Sequence, residues 1–105
     1  MIKNLTNSDF DSEIKKAEIA VVDFFASWCG PCRALTPVLE EIDAKISDCL
    51  ISKVNVDSEP ELAARYNVMS IPTIIFFKNN EQVDKLVGFS NKDKIVELIE
   101  KHKKN

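Results

Sequence analysis

The seven residues Ala20 to Ala26 read Ala-Val-Val-Asp-Phe-Phe-Ala and are apolar at every position except Asp23. A strand with one wet face alternates apolar and polar residues. A continuous run rich in Val and Phe instead fits a strand buried on both faces, and such strands lie inside sheets covered by helices on each side. The rest of the chain must supply those helices. Its 105 residues, 45% of them apolar, provide for one core and not two, so residues 1–105 are read as a single domain. Asp23 stands out within the run. A carboxyl group there is removed from water, which raises its pKa and keeps a proton available.

Apolar spacing predicts the other elements. Phe10, Ile14 and Ala17 recur at helical spacing behind Asn7 or Ser8 as a cap, giving a short helix from Asp9 to Glu18. Leu35, Val38, Leu39, Ile42 and Ile46 predict a helix from Pro31 to Ile46, with Pro31 tolerated in the first turn and Pro37 expected to kink the axis. Leu50 to Val56 alternates as a strand, Pro60 opens a short helix to Tyr66, and Thr73 to Lys78 is a further strand. Asn79-Asn80 then reads as a hairpin turn into a strand from Gln82 to Val87. A last helix from Asn91 to His102 places Ile95, Leu98, Ile99 and His102 on one face, with Lys101, Lys103 and Lys104 near its negative end. Helix and strand alternate first and the hairpin comes late. That order defines an α/β fold with a mixed, mostly parallel central sheet flanked by four α-helices on both faces. In such folds the loop leaving the carboxyl end of a central strand is the usual place for a site.

Trp28-Cys29-Gly30-Pro31-Cys32 occupies that loop. Residues three apart on a helix are surface neighbours at the separation a disulfide spans, so the two cysteines can close a bond without moving the backbone. A helix amino terminus also stabilises the thiolate that attacks and leaves in thiol–disulfide exchange. Spacing alone leaves redox use, a permanent disulfide and a zinc site open. Zinc normally needs two further ligands, and Cys49 and His102 offer no ligand spacing; haem attachment needs a His after Cys32, where Arg33 stands.

Composition narrows the function classes. Fourteen Lys and Arg against 17 Asp and Glu give a net charge of -3, which disfavours a phosphate backbone as partner. Neither apolar run, Ile19 to Ala26 or Ile71 to Phe77, approaches the ~20 residues of a membrane span. The segment Met1-Ile2-Lys3-Asn4-Leu5 lacks the charged and apolar regions of a secretory signal, and three cysteines cannot all pair within one chain; both point to a reducing cytoplasm. There is no internal repeat, low-complexity tract or linker.

Val22-Asp23-Phe24, the WCGPC run, Pro37, Lys53, Asp57, Ile71-Pro72-Thr73 and Gly88 together resemble the thioredoxin family in order and approximate spacing, over nearly the whole chain. The resemblance implies the thioredoxin fold and reversible disulfide formation between Cys29 and Cys32, with no cofactor and no metal. Cys29, ahead of the helix proper and expected to be exposed, is the nucleophile. Cys32, one turn in and expected to be buried, resolves the mixed disulfide. Asp23 matches the family's acid and base for the buried cysteine, and Lys53 a lysine near it. Sequence alone favours a trans bond at Ile71-Pro72, since only about 5–6% of such bonds are cis; the resemblance implies cis. It also implies docking of substrate chain along Ile71, Pro72 and Thr73, with Trp28, Gly30, Pro31 and Gly88 completing the surface.

The function so implied is general protein disulfide reduction by a monomer. The implied partners are thioredoxin reductase and clients such as ribonucleotide reductase, peroxiredoxin and methionine sulfoxide reductase. A disulfide oxidase or isomerase, and a binding module with incidental thiols, are the alternatives. Phe25, Ser70 and Asn80 depart from the family pattern, where Trp, Gly and Gly are common. Cys49 is read as a packing residue, and His102 as a surface or interfacial residue rather than a ligand.

Overall fold

The computed structural model describes residues 2–104. In chain order they form β1 (Lys3–Asn4), α1 (Phe10–Lys15), β2 (Ile19–Phe25), α2 (Gly30–Lys45), β3 (Leu50–Asn55), α3 (Pro60–Arg65), β4 (Thr73–Lys78), β5 (Glu81–Val87) and α4 (Lys92–Lys103). The strands make one sheet in the order β1-β3-β2-β4-β5, which puts the apolar run at its centre. Alternation along β2 sends Ile19 and Val21 to the face covered by Leu35, Leu39 and Ile42 of α2 and Ile95 and Ile99 of α4. Ala20, Val22 and Phe24 meet Phe10 and Ile14 of α1 and Leu62 of α3 on the other face. Six consecutive residues of β2, Ile19 to Phe24, are buried, as a strand covered on both sides requires.

Several expectations shift. The sheet is mixed, but not mostly parallel: β1 and β2 run parallel to β3, while β4 runs antiparallel to both β2 and β5. After α3 the chain re-enters the sheet from the end at which β3 finished, so β4 runs opposite to β2 and β3. Helix α1 is shorter than Asp9 to Glu18 because Lys16 closes it and β2 already begins at Ile19. Strand β1 has no counterpart in the sequence reading; Ile2 and Leu5 on either side of it enter opposite cores, and the Leu5 N–H donates to the Lys53 carbonyl at 2.7 Å. Helix α2 spans Gly30–Lys45 with Pro37 inside it, one residue earlier at each end than its apolar spacing predicts. His102 is interfacial: its ring is buried, and Nε2 lies 3.1 Å from Asp84 Oδ2 on β5.

Helix α3 ends in a Schellman turn that aims the next segment at the site. Asn67, at φ 55°, takes the left-handed position, with Asn67 N–H donating to the Ala64 carbonyl at 3.1 Å and Val68 N–H to the Ala63 carbonyl at 2.9 Å. Tyr66, just before it, anchors the turn against Phe10 and Phe77, at ring-centroid distances of 5.4 and 5.5 Å.

The hairpin between β4 and β5 turns through Asn79 and Asn80, at φ 49° and 71°. Two successive positive φ values are what a type I′ turn needs. Asn80→Gly is expected to hold or raise stability by up to about 1 kcal/mol, and Asn80→Val to lower it by about 1–2 kcal/mol. Equal urea-unfolding midpoints for the two variants would show that the turn does not depend on positive φ.

Candidate active site

Strand β2 ends at Phe25, and four residues later Cys29 caps α2. Its backbone is extended, at φ -88° and ψ 117°, and its sulfur accepts the Cys32 N–H at 3.2 Å. One of the unpaired donors of the helix start is therefore aimed at Cys29 Sγ, where the helix dipole also favours negative charge. Cys29 and Cys32 are joined as a disulfide, with Cα atoms 5.2 Å apart. Both sulfur residues are buried, Cys29 at 5% exposure and Cys32 at 1%. The expected order of accessibility holds, but Cys29 is not exposed. Its cover comes from a segment 42 residues away: Cys29 Sγ lies 3.9 Å from the Ile71 carbonyl oxygen, and the Ile71 side chain packs on the pair.

Asp23 lies on the face of β2 that carries Ile19 and Val21, the face covered by α2, in whose first turn Cys32 sits. It is fully buried, and among the described residues neither carboxylate oxygen has a hydrogen-bond partner. Burial pushes its pKa up to about 7, against the opposing pull of Lys53. Lys53 is Asp23's neighbour in register on the parallel strand β3, so both side chains leave the same face. The Lys53 ammonium sits 5.0 Å from the centroid of the Phe25 ring. Phe25, where a Trp was common, thus serves as an aromatic seat for the cation.

The residues expected to line a docking surface lie in the loops before β4 and after β5 and at the start of α2. The Ile71-Pro72 peptide is cis, and Pro72 is buried. Thr73 Oγ1 donates to the Ser70 carbonyl, so Ser70 contributes backbone to the loop while its side chain is exposed. Gly88, at φ 89°, donates its N–H to the Pro72 carbonyl at 2.7 Å, joining the loop before β4 to the loop after β5. A positive φ of that size is strained for any residue with a Cβ, which accounts for glycine there. Trp28 is 68% exposed, and its indole N–H donates to Asp57 Oδ2 at 2.8 Å. Gly30 and Pro31 are exposed in the first turn of α2.

The Trp28–Asp57 bond was absent from the sequence reading, although Asp57 belongs to the matching pattern. The signal for it lies in Asn55, whose side-chain oxygen accepts the N–H groups of Asp57 and Ser58 at 2.9 and 3.3 Å and shapes the turn that presents the carboxylate. Cys49 is a free, buried thiol, and burial pushes its pKa up to about 12, which makes it a poor nucleophile. Among the described residues no three His, Cys, Asp or Glu side chains are grouped to hold a metal ion, and no helix is long and apolar enough to cross a membrane.

A disulfide bridging the first turn of a helix, in a fold whose central strand carries a buried acid, is the arrangement of a dithiol–disulfide oxidoreductase. Residues 1–101 match the model of the family described as Thioredoxin. The thioredoxin of Chlamydia caviae is 47% identical, covering 97% of this chain and 99% of its own, and that of Staphylococcus epidermidis is 50% identical, covering 96% and 97%. Among solved structures, a mutant thioredoxin from Halobacterium salinarum superposes with a TM-score of 0.90 at 34% identity, covering 95% of this chain and 88% of that one. The thioredoxin of Plasmodium falciparum gives 0.88 at 40% identity, covering 95% and 98%. The chain belongs to the thioredoxin family. It is a disulfide reductase with a redox-active cysteine pair, and its partners are thioredoxin reductase and disulfide-bearing client proteins.

The Asp23 carboxyl keeps its proton to about pH 7 in the folded protein, whereas its ordinary value is 3.8. Between those values the folded state binds more protons than the unfolded one, so stability falls as pH rises through the window. Asp23→Asn removes this titration. The stability of the oxidised variant relative to wild type is expected to rise from pH 4 to pH 8 by an amount on the order of 4 kcal/mol. A difference in unfolding free energy that stays flat over that range would contradict the assigned environment of Asp23.

Proposed function

We propose that the protein is a general reductant of disulfides in client proteins, with Cys29 as nucleophile, Cys32 as resolving thiol and Asp23 as acid and base. The observation that carries this reading is the inequality of the two sulfurs. Cys29 caps α2 and accepts a helix N–H, while Cys32 is the more deeply buried and sits in the first turn of α2, the helix whose Leu35, Leu39 and Ile42 cover the Ile19 and Val21 face of β2 that also bears Asp23. In the reduced protein the Cys29 thiolate attacks a client disulfide, forming a mixed disulfide and expelling one client thiolate, which takes a proton from solvent. Asp23, as carboxylate, then accepts the Cys32 proton. The Cys32 thiolate attacks Cys29 Sγ, closing the Cys29–Cys32 disulfide and releasing the second client sulfur. Two electrons pass from the dithiol to the client, and thioredoxin reductase restores them.

A pKa near 7 suits this proton exchange, because the acid and base forms of Asp23 are then both present at neutral pH. Lys53, in register with Asp23, favours the carboxylate and so has a tuning role. Client chain docks along Ile71, Pro72 and Thr73. Among the described residues the Ile71 N–H has no partner, and its carbonyl faces Cys29 Sγ, so this backbone is open to an added strand that needs little side-chain sequence. Trp28, Gly30, Pro31 and Gly88 complete the surface. Residues 1–105 act as one domain and as a monomer, a reading supported by the single sheet that both helix layers share. The proposed compartment is the cytoplasm, where Cys49 stays reduced. Ribonucleotide reductase, peroxiredoxin and methionine sulfoxide reductase are the proposed clients.

Reduction of insulin by dithiothreitol is expected to accelerate with the wild-type protein and to return to the uncatalysed rate with Cys29→Ser; equal rates would sink the assignment. Cys32→Ser is expected to accumulate mixed disulfides with clients. A trap that works equally well in Cys29→Ser would reverse the two roles. In stopped-flow measurements at pH 7, Asp23→Asn is expected to slow resolution by about 10- to 100-fold while changing formation by the reduced protein far less. Unchanged resolution would remove Asp23 from the proton path.

A further inference from the structure

Five large apolar side chains are exposed among the described residues: Trp28, Met69 at 86%, Val83, Val87 and Phe89 at 51%. Trp28 belongs to the disulfide loop. Val83 and Val87 lie on β5, where the extended backbone itself favours Val. Met69 and Phe89 lie in neither helix nor strand, enter none of the buried cores, and take no part in the dithiol chemistry. Neither local propensity nor packing accounts for them.

Their positions do. Met69 stands two residues before Ile71, whose carbonyl lies 3.9 Å from Cys29 Sγ. Phe89 follows Gly88, whose N–H is bonded to the Pro72 carbonyl at 2.7 Å. Both therefore flank the backbone along which a client must lie to bring its sulfur to Cys29. The two segments that carry them, Met69-Ser70-Ile71-Pro72-Thr73 and Val87-Gly88-Phe89-Ser90, contain no charged side chain, in a sequence that is 30% charged. An uncharged rim with two exposed apolar side chains gains most from an apolar partner.

We infer that Met69 and Phe89 are specificity-determining residues of the disulfide reductase, extending the docking surface past Ile71 and Gly88 and selecting client segments with large aliphatic or aromatic side chains close to the attacked cysteine. The inference rests on the reading that Cys29 attacks and that Ile71 is the docking edge. Two residues of chain cover about 7 Å, so the selected side chains lie within roughly two positions of the client cysteine. The segments that carry the two side chains include the Ile71 carbonyl facing Cys29 Sγ and the Gly88 N–H bonded to Pro72, and a client polypeptide is the one occupant that the reaction must bring there.

The test uses two synthetic peptides of equal length and charge, each with one internal disulfide. Leu and Phe flank the attacked cysteine in the first, Ser and Gln in the second. Wild type is expected to favour the apolar peptide, mainly through KM. In the double variant Met69→Ser, Phe89→Ser the ratio of the two kcat/KM values is expected to fall by about tenfold. The ratio is independent of the fraction of folded protein, so impaired folding does not mimic the effect. An unchanged ratio overturns the proposal, as does wild-type protein that reduces both peptides equally; the reductase reading survives either result. Wild-type protein that reduces neither peptide overturns both readings. If wild type sediments as a dimer, the double variant as a monomer, and the peptide ratio is unmoved, the two side chains form a self-association face and the specificity assignment fails.

Discussion

Strand β2 is bound on every side, and the site depends on that. Its edges pair with β3 and β4, its faces meet α2 with α4 and α1 with α3, and six of its residues are buried in succession. A strand held this way has no freedom to slip, because a shift by one residue would exchange the side chains of its two faces. The carboxyl end of β2 is thereby fixed, and with it the short loop that delivers Cys29 to the start of α2. The position of the reactive sulfur is a consequence of core packing rather than of any contact made by the sulfur itself.

Within this strand Asp23 runs against the packing. An apolar residue would suit the same place better, and the carboxyl group finds no hydrogen-bond partner among the described residues. Burying such a group costs least while it holds its proton, which is why its titration lies near neutrality instead of near 3.8. The same burial that weakens the fold at alkaline pH underlies the proton exchange proposed for the group, so stability and the proposed chemistry both trace to one desolvated carboxyl.

Features written in consecutive residues were legible in the sequence. The apolar run located β2 to within one residue, helical spacing located α2, the two asparagines located the hairpin turn, and an acid inside the run announced its own raised pKa. Features that depend on distant partners were not. Strand β1 is two polar residues, Lys3 and Asn4, and becomes a strand only because β3 presents a free edge. Part of the cover of Cys29 comes from Ile71, the indole partner of Trp28 is Asp57, and the partner of His102 is Asp84. In each case the local sequence offers the group and the tertiary fold supplies what it meets. The even split of parallel and antiparallel pairs was not legible because no residue between β3 and β4 fixes locally from which end the chain re-enters the sheet.

The bond from Gly88 N–H to the Pro72 carbonyl ties the loop before β4 to the loop after β5, and that from Thr73 Oγ1 to the Ser70 carbonyl braces the first of these loops from within. Neither bond involves α2. The backbone that faces Cys29 Sγ is therefore anchored through β4 and β5, and its place beside the sulfur pair follows from the register of two antiparallel strands rather than from the helix that carries the cysteines.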